Sequence, residues 1–228
     1  MGQKKFKEAD KALWDYSRKL VYQRGSKLKD SNTDMLSGLL TGTVDDDPLS
    51  EDLVVGIVRL LLAAGHDSTS QSIGLCVAYL ARDIEAQDLL RREPERLPAA
   101  IEEILRMETP VVAMPRIVTK DIELDGKKLV AGDRLMLNYT SANRDSEIFD
   151  QADEYVLDRS PNKHLVFGSG IHTCIGANLA RQEIRVALEE LLKQTRHFTL
   201  SAKPELQNMI HYGYETIPLR IESLEQPE

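Results

Sequence analysis

One cysteine stands inside a glycine-rich segment that could hold a metal-binding thiolate. Residues 167–176 read Phe-Gly-Ser-Gly-Ile-His-Thr-Cys-Ile-Gly, so three glycines surround Cys174. Glycine lets the backbone turn back where a residue with a Cβ would clash. The turn can direct several N–H groups at one sulfur, and the helix predicted to follow adds partial positive charge. Both effects favour the thiolate, which is the form that binds metals. A lone cysteine is usually a small buried hydrophobe, but the glycine frame favours a ligand.

A second unusual segment lies within a long apolar helix. The sequence predicts one helix over residues 50–82, apolar nearly all round and therefore central and buried. In its middle, residues 64–69 read Ala-Gly-His-Asp-Ser-Thr. A charge and hydroxyls are costly in a buried helix, and such departures are expected at functional sites. The alternative is a Ser/Thr-rich kink with Asp67 paired to a surface cation. The candidate residues are Ala64 and Gly65, which leave space, and Asp67 and Ser68, which could relay protons.

A third candidate is an acid and a base on one helical face. Glu103 and Arg106 are three residues apart, so their side chains are neighbours in a helix. An isolated pair of this kind is common and is worth at most about 0.5 kcal/mol when exposed. The pair alone therefore predicts no function.

The cysteine segment, written Phe-Gly-x-Gly-x-His-x-Cys-x-Gly, resembles the haem-ligand loop of the cytochrome P-450 monooxygenases in the form typical of soluble bacterial members. The resemblance implies that Cys174 is the axial thiolate on the iron of haem b, iron protoporphyrin IX. A single cysteine without a nearby His/Cys cluster fits haem better than zinc, which normally takes three or four protein ligands. The other cofactor-binding residues that the resemblance implies are Phe167, Gly168 and Gly176 in the loop, with His172 and Arg116 as partners of the haem propionates.

The same resemblance extends to the other two motifs. Residues 64–69 are similar to the family's oxygen-activation stretch, usually written Ala-Gly-x-Asp/Glu-Thr-Thr, in which Asp67 and Ser68 would form the acid–alcohol pair that delivers protons. Serine keeps the donor and acceptor but lacks the methyl that restricts χ1, so we expect looser proton delivery. The structural triad implied by the family's Glu-x-x-Arg motif and its meander arginine is Glu103, Arg106 and Arg159.

Composition narrows the class of protein. The 228 residues suffice for one sizeable domain, and contents of 42% hydrophobic and 29% charged residues are ordinary for a soluble globular protein. The net charge of -8 argues against nucleic-acid binding. No apolar run reaches membrane-spanning length and no signal-peptide core is visible, so no membrane partner is expected. Only Cys76 and Cys174 are present, which indicates a reducing compartment, with the cytoplasm as the default.

The expected fold is mainly α with a small β region (α+β), namely the C-terminal portion of the P-450 fold. Residues 1–228 would form a single haem-binding domain, N-terminally truncated relative to a family whose members are nearly twice as long. The predicted segments are amphipathic and short helices (1–49), a long central distal helix (50–82), two helices (86–108), short strands (111–140), a meander (141–165), the cysteine loop and proximal helix (166–195) and a β-like tail (196–228).

Two functions follow from the resemblance. The leading hypothesis is a haem-thiolate monooxygenase, or the haem-binding part of one, that inserts one oxygen atom from O2 into a small lipophilic substrate. Electrons would come from a ferredoxin or similar partner. The alternative is a truncated, non-catalytic haem-binding or accessory protein that associates with itself or with a complementing chain, because uncovered apolar helix faces usually mark interfaces. The residues suggested for docking of the electron carrier are Lys163, His164, Arg181 and Arg185.

Overall fold

The computed structural model describes residues 2–28, 34–207 and 211–223. The chain divides into two units, residues 1–66 and 67–228. The first unit contains helices α1 (Gly2–Gly25) and α2 (Met35–Thr41), strands β1 (Thr43–Val44) and β2 (Asp47–Pro48), and the first half of helix α3 (Glu51–Leu80).

The first unit packs around valines from two helices. Val21 of α1 and Val54, Val55 and Val58 of α3 are buried, with partly buried leucines around them. Beside this cluster, the Arg59 guanidinium lies 5.3 Å from the centre of the Trp14 ring. Arg59 also forms an ion pair with Asp10 of α1. Apolar burial and a charged pair therefore join α1 to the start of α3.

The acidic run before α3 forms a hairpin within residues 1–49, where the predicted elements are helices. Strands β1 and β2 pair antiparallel, with Thr43 opposite Pro48 and Val44 opposite Asp47. Asp45 and Asp46 make the turn with φ values of 52° and 67°. Aspartate tolerates this left-handed region better than most residues, which explains why an acidic pair can close a two-residue turn.

Helix α3 runs without interruption through its glycine-containing segment. The prediction that it is buried all round is wrong, because only 17% of its most apolar window is buried and Leu60 is 60% exposed. Its 30 residues span about 45 Å, and the described chain packs against its two ends but leaves its middle open. By length and composition alone, it is the one described helix that could cross a membrane, which corrects the expectation that no apolar run reaches that length.

The second unit begins with the remainder of α3. Among the described residues, the strands of the whole chain form five two-stranded antiparallel sheets, β1–β2, β3–β6, β4–β5, β7–β10 and β8–β9. The further elements are helices α4 (Ile84–Arg92), α5 (Leu97–Glu108), α6 (Tyr139–Ala142) and α7 (Ala177–Gln194), and strands β3 (Ala113–Ile117), β4 (Ile122–Leu124), β5 (Lys127–Leu129), β6 (Arg134–Asn138), β7 (Thr195–Leu200), β8 (Glu205–Leu206), β9 (Tyr214–Thr216) and β10 (Leu219–Ser223).

Local signals explain where these elements begin and end. The Asp83 side chain accepts a hydrogen bond from Ala86 N–H at 2.9 Å and caps α4. Helix α5 has a proline in its first turn and ends before Thr109, whose φ of 44° is left-handed. The short helix α6 is not among the predicted elements. It starts where Asn138 accepts a hydrogen bond from Ser141 N–H at 3.1 Å, a cap hidden in an Asn- and Ser-rich stretch.

One apolar core holds the second unit together. The buried Gln87 side chain of α4 donates to Leu80 O and Phe198 O, both at 2.8 Å, so it ties α3 and β7 to α4. The core places α5 and α7 beside each other, which positions the cysteine loop that precedes α7. Its buried members are Cys76, Leu80, Ala81, Leu90, Leu97, Ala100, Ile101, Ile104, Leu105, Val166, Ile184, Leu188, Leu192 and Phe198.

Candidate functional site

The cysteine loop closes on itself through backbone hydrogen bonds. Cys174 N–H donates to Phe167 O at 2.8 Å, and the intervening residues form a tight turn with a short 3₁₀ helix at Gly170–His172. Gly168 and Gly170 have φ values of 70° and 64°, which side chains rarely adopt. A Cβ on Gly168 would also lie 3.0 Å from His172 O. These glycines are required by the turn itself.

The thiol of Cys174 is exposed at the mouth of α7. Gly176 is the N-cap residue of this helix, and a Cβ there would lie 3.8 Å from the Cys174 sulfur. Glycine therefore leaves the space beside the sulfur open. The loop also presents Ile171 and Ile175 to solvent, 97% and 89% exposed. A loop that exposes both a thiol and apolar side chains is suited to binding a large apolar group.

The single available cysteine suits a metal whose other ligands come from a cofactor. Within the described residues, no group of three or more His, Cys, Asp or Glu side chains could hold a metal ion. The other thiol, Cys76, is fully buried in the core, and burial raises its pKa, so it stays protonated. An iron porphyrin needs one axial protein ligand, which a single exposed cysteine can supply.

The other predicted haem contacts lie in different surroundings. Phe167 is half-buried, with its ring centre 4.2 Å from the Arg181 guanidinium. His172 is exposed in the loop. Arg116 lies on β3, opposite Leu135 of β6, and donates to Pro115 O at 2.9 Å. In the described part of the chain, no hydrogen bond or ion pair joins Arg116 to His172.

On α3, the four residues that the resemblance assigns to oxygen activation are accessible to solvent. Ala64 and Gly65 are exposed, and a Cβ on Gly65 would meet no atom within 4 Å. Asp67 and Ser68 are half-buried. The Asp67 carboxylate lies 2.5 Å from Nδ1 of His211, which approaches from the segment before β9. The carboxylate of the proposed proton pair therefore has a titratable partner from 144 residues away.

Glu103, Arg106 and Arg159 come together around one buried carboxylate. Glu103 and Arg106 are fully buried, and two Arg106 donors reach the two Glu103 oxygens at 2.8 and 2.9 Å. Arg159 Nε lies 2.9 and 3.1 Å from the same oxygens. Burial by itself would raise the pKa of Glu103, but hydrogen bonds led by that from Arg106 lower it. Val156 N–H and the Asn162 amide add two more donors.

Arg106 also donates hydrogen bonds to backbone carbonyl groups of the meander. Its guanidinium donates to Asn143 O, Ala152 O and Glu154 O at 2.7–2.9 Å. Asn143 extends this connection, because its side-chain oxygen accepts a hydrogen bond from Leu165 N–H at 2.7 Å. Leu165 stands two residues before the cysteine loop, so the network runs from α5 through the meander to that loop.

A second acid on α5 contacts the chain on both sides of the cysteine. Glu102 oxygens accept two hydrogen bonds from Arg181, both at 2.8 Å, and lie 3.0 Å from His164 Nε2. Burial would raise the pKa of Glu102, but hydrogen bonds from His164 and Arg181 outweigh it and lower the pKa to about 2. The His164 side chain is only 3% exposed. His164 is therefore engaged inside the protein, which removes it from the set suggested for docking, whereas Arg181 pairs with Glu102 but keeps 39% of its side chain exposed.

Glu102 and His211 are not among the site residues predicted from the sequence. A usable signal for Glu102 does exist: two consecutive glutamates interrupt the apolar α5, where an unpaired buried charge would be costly. Such a doublet indicates two separate sets of cationic partners. His211 has no comparable signal, since its contact with Asp67 depends on the course of the tail.

Comparison with known proteins gives matches to one family. The family model described as cytochrome P-450 matches residues 2–217. The chain is 34% identical over 219 residues to cytochrome P-450-terp of a Pseudomonas species, covering 95% of this chain and 50% of that protein. It is 42% identical over 190 residues to the methyl-branched lipid omega-hydroxylase of Mycobacterium tuberculosis, covering 82% and 44%. The chain thus spans about half the length of these curated relatives.

Solved structures agree in fold. CYP109E1 of Bacillus megaterium in complex with corticosterone superposes with a TM-score of 0.87 at 34% identity, covering 96% of this chain and 59% of that one. CYP108D1 of Novosphingobium aromaticivorans gives 0.85 at 34% identity, covering 93% and 51%. These matches confirm the predicted fold class, helices with small sheets as in the corresponding part of those proteins. From its family match, its relatives and its fold, this chain belongs to the cytochrome P-450 family.

Proposed function

We propose that this chain carries the haem-binding half of a haem-thiolate monooxygenase. Cys174 would bind the iron of haem b, and the assembled protein would insert one oxygen atom from O2 into a small lipophilic substrate. The observation that carries this proposal is the exposed Cys174 sulfur in a closed glycine turn at the start of α7. When bound, haem would supply the redox-active iron at which dioxygen is reduced.

The loop residues would prepare the thiol for that role. Gly168 and Gly170 permit the turn, and Gly176 keeps the side of the sulfur free. Phe167 stands at the base of the turn, where its carbonyl accepts the Cys174 N–H. His172 and Arg116 would pair with the haem propionates, since charged donors form the stronger hydrogen bonds to carboxylates.

Proton handling would fall to Asp67 and Ser68 on α3. Small residues at Ala64 and Gly65 would leave room for dioxygen. The Asp67 carboxylate, in contact with His211 Nδ1, can accept a proton on one oxygen and pass it to a neighbouring hydroxyl. His211 also restrains the orientation of that carboxylate.

The substrate and the electron donor are proposed by analogy and by surface chemistry. Relatives are named for a methyl-branched lipid and for a steroid, which supports a lipophilic substrate. Val112 and Met114 near the start of β3 are about 38–39% exposed and could contact it. A ferredoxin-like donor would dock near α7, where Lys163 is exposed and Arg185 is 48% exposed. We place the protein in the cytoplasm, as its two unpaired cysteines suggest.

The decisive experiment is reconstitution with hemin followed by the spectrum of the reduced carbon monoxide complex. The wild-type chain is expected to give the band typical of thiolate ligation, and Cys174→Ala is expected to lose it. Cys76→Ala is the matched control, because its thiol is buried and protonated, and it should keep the band. A wild-type chain that takes up no hemin, or an unchanged band in Cys174→Ala, would refute the proposal.

Exposed apolar surface favours a second candidate function, association with another chain. Leu53 and Leu60 on α3 are 50% and 60% exposed, and Leu179 on α7 is 62% exposed. Side chains of this kind usually mark an interface when they are contiguous. A non-catalytic haem-binding protein that works through a homo-oligomer or a complementing chain would use such faces. Sedimentation of the haem-free chain tests this, since a stable monomer would contradict it.

A further inference from the structure

Glu102 joins two chain segments that flank the cysteine. One of its partners, His164, stands ten residues before Cys174, and the other, Arg181, stands seven residues after it. Both contacts are direct, with Arg181 hydrogen bonds of 2.8 Å and a His164 distance of 3.0 Å. One carboxylate on α5 thus holds both flanks of the loop.

The geometry around each partner restricts it further. Nδ1 of His164 accepts a hydrogen bond from Val166 N–H at 3.3 Å, which assigns the ring proton to Nε2 and makes His164 a donor to Glu102. The Arg181 guanidinium stacks 4.2 Å from the centre of the Phe167 ring. The backbone carbonyl of Phe167 accepts the Cys174 N–H, which closes the loop. Arg181 therefore contacts the same residue that closes the loop.

The carboxylate is suited to this role because it is ionised and largely enclosed. Only 26% of the Glu102 side chain is exposed, and its hydrogen bonds lower its pKa to about 2 despite its burial. A charged acceptor forms hydrogen bonds that are shorter and stronger than neutral ones. Glu102 therefore stays ionised and keeps both partners at every pH at which the protein would work.

We propose that Glu102 is a positioning residue for Cys174, which holds His164 and Arg181 so that the loop presents its sulfur in one geometry. Its role differs from that of Glu103, whose partners lie mainly in the meander. A ligand held by preorganised neighbours loses less conformational freedom when it binds its target. The purpose of the clamp rests on the proposed haem function, whereas its existence as a restraint on the loop does not.

The test begins with hydrogen exchange of the haem-free full chain, followed by mass spectrometry. In Glu102→Gln, one oxygen becomes an amide that cannot accept from Arg181. We expect backbone amides of residues 165–176 to exchange about tenfold faster, the effect of losing one charged hydrogen bond. Arg181→Lys removes the two-pronged contact and should accelerate the same peptides less strongly.

Asp88→Asn is the matched control. Asp88 also contacts a histidine, His197, at 2.9 Å and an arginine, Arg91, at 3.6 Å, but these partners belong to β7 and α4. This variant should leave the loop peptides unchanged, and peptides of β7 should be unchanged in Glu102→Gln. The proposal is overturned by unchanged loop exchange in Glu102→Gln, or by uniform acceleration across the whole chain in both Glu102→Gln and Arg181→Lys.

A second readout separates the clamp from the proposed function. After hemin reconstitution, the reduced carbon monoxide complex of Glu102→Gln should contain a larger fraction without thiolate ligation than the wild type. If the wild-type chain takes up no hemin, the proposed function fails, while hydrogen exchange still decides the clamp. If the wild type shows the thiolate band and Glu102→Gln matches it in band and exchange, the clamp alone is refuted.

Discussion

Replacing Arg106 by lysine should expose how strongly the meander depends on one guanidinium. Arg106 is fully buried and donates to both Glu103 oxygens and to the carbonyl oxygens of Asn143, Ala152 and Glu154. A lysine ammonium keeps the charge but has three donors on one nitrogen. At least two of these five hydrogen bonds must then be lost.

The magnitude follows from those lost hydrogen bonds. A hydrogen bond that involves a charged group is worth about 1.5–3 kcal/mol, so the loss of two should lower the free energy of unfolding of Arg106→Lys by about 3–6 kcal/mol. The whole free energy of unfolding of a small domain is about 5–15 kcal/mol, so this loss would be severe.

Urea denaturation followed by far-UV circular dichroism measures this change, with Arg96→Lys as the matched control. Arg96 pairs with Glu93 and Asp158 but is 36% exposed, so its conversion should change the urea midpoint little. If Arg106→Lys lowers the midpoint no more than Arg96→Lys does, the hydrogen bonds of Arg106 do not stabilise the meander and the reasoning is wrong.

Three further predictions concern the loop and its clamp. Gly168→Ala forces a Cβ to within 3.0 Å of His172 O at a positive φ, and should cost about 1–3 kcal/mol in urea unfolding. Because the pKa of Glu102 falls from 4.5 unfolded to about 2 folded, its contribution of about 3 kcal/mol is complete above pH 4.5 and disappears as pH falls towards 2. Glu102→Gln should therefore flatten this acid limb in urea titrations across pH, and an unchanged limb would contradict it. Iodoacetamide should label the exposed Cys174 of the folded chain but leave buried Cys76 untouched until urea unfolds it, as peptide mass spectrometry would show.

Local patterns predicted most of the helices and strands, because caps, prolines and periodicity act within a few residues. They failed where burial was concerned. The apolar residues of α3 predict a helix buried all round, yet its middle is open, since periodicity records which side chains are apolar and not what packs against them. The short helix α6 escaped notice because four residues carry almost no periodic signal.

The sequence by itself determined the turn around Cys174, because Gly168 and Gly170 satisfy a backbone requirement that is settled within ten residues. Tertiary structure alone decided what restrains that turn. The contacts of Glu102 with His164 and Arg181 span 62 and 79 residues, and that of Asp67 with His211 spans 144. Contacts at such separations depend on how α3, α5 and α7 pack and on where the tail runs. No spacing along the chain encodes them.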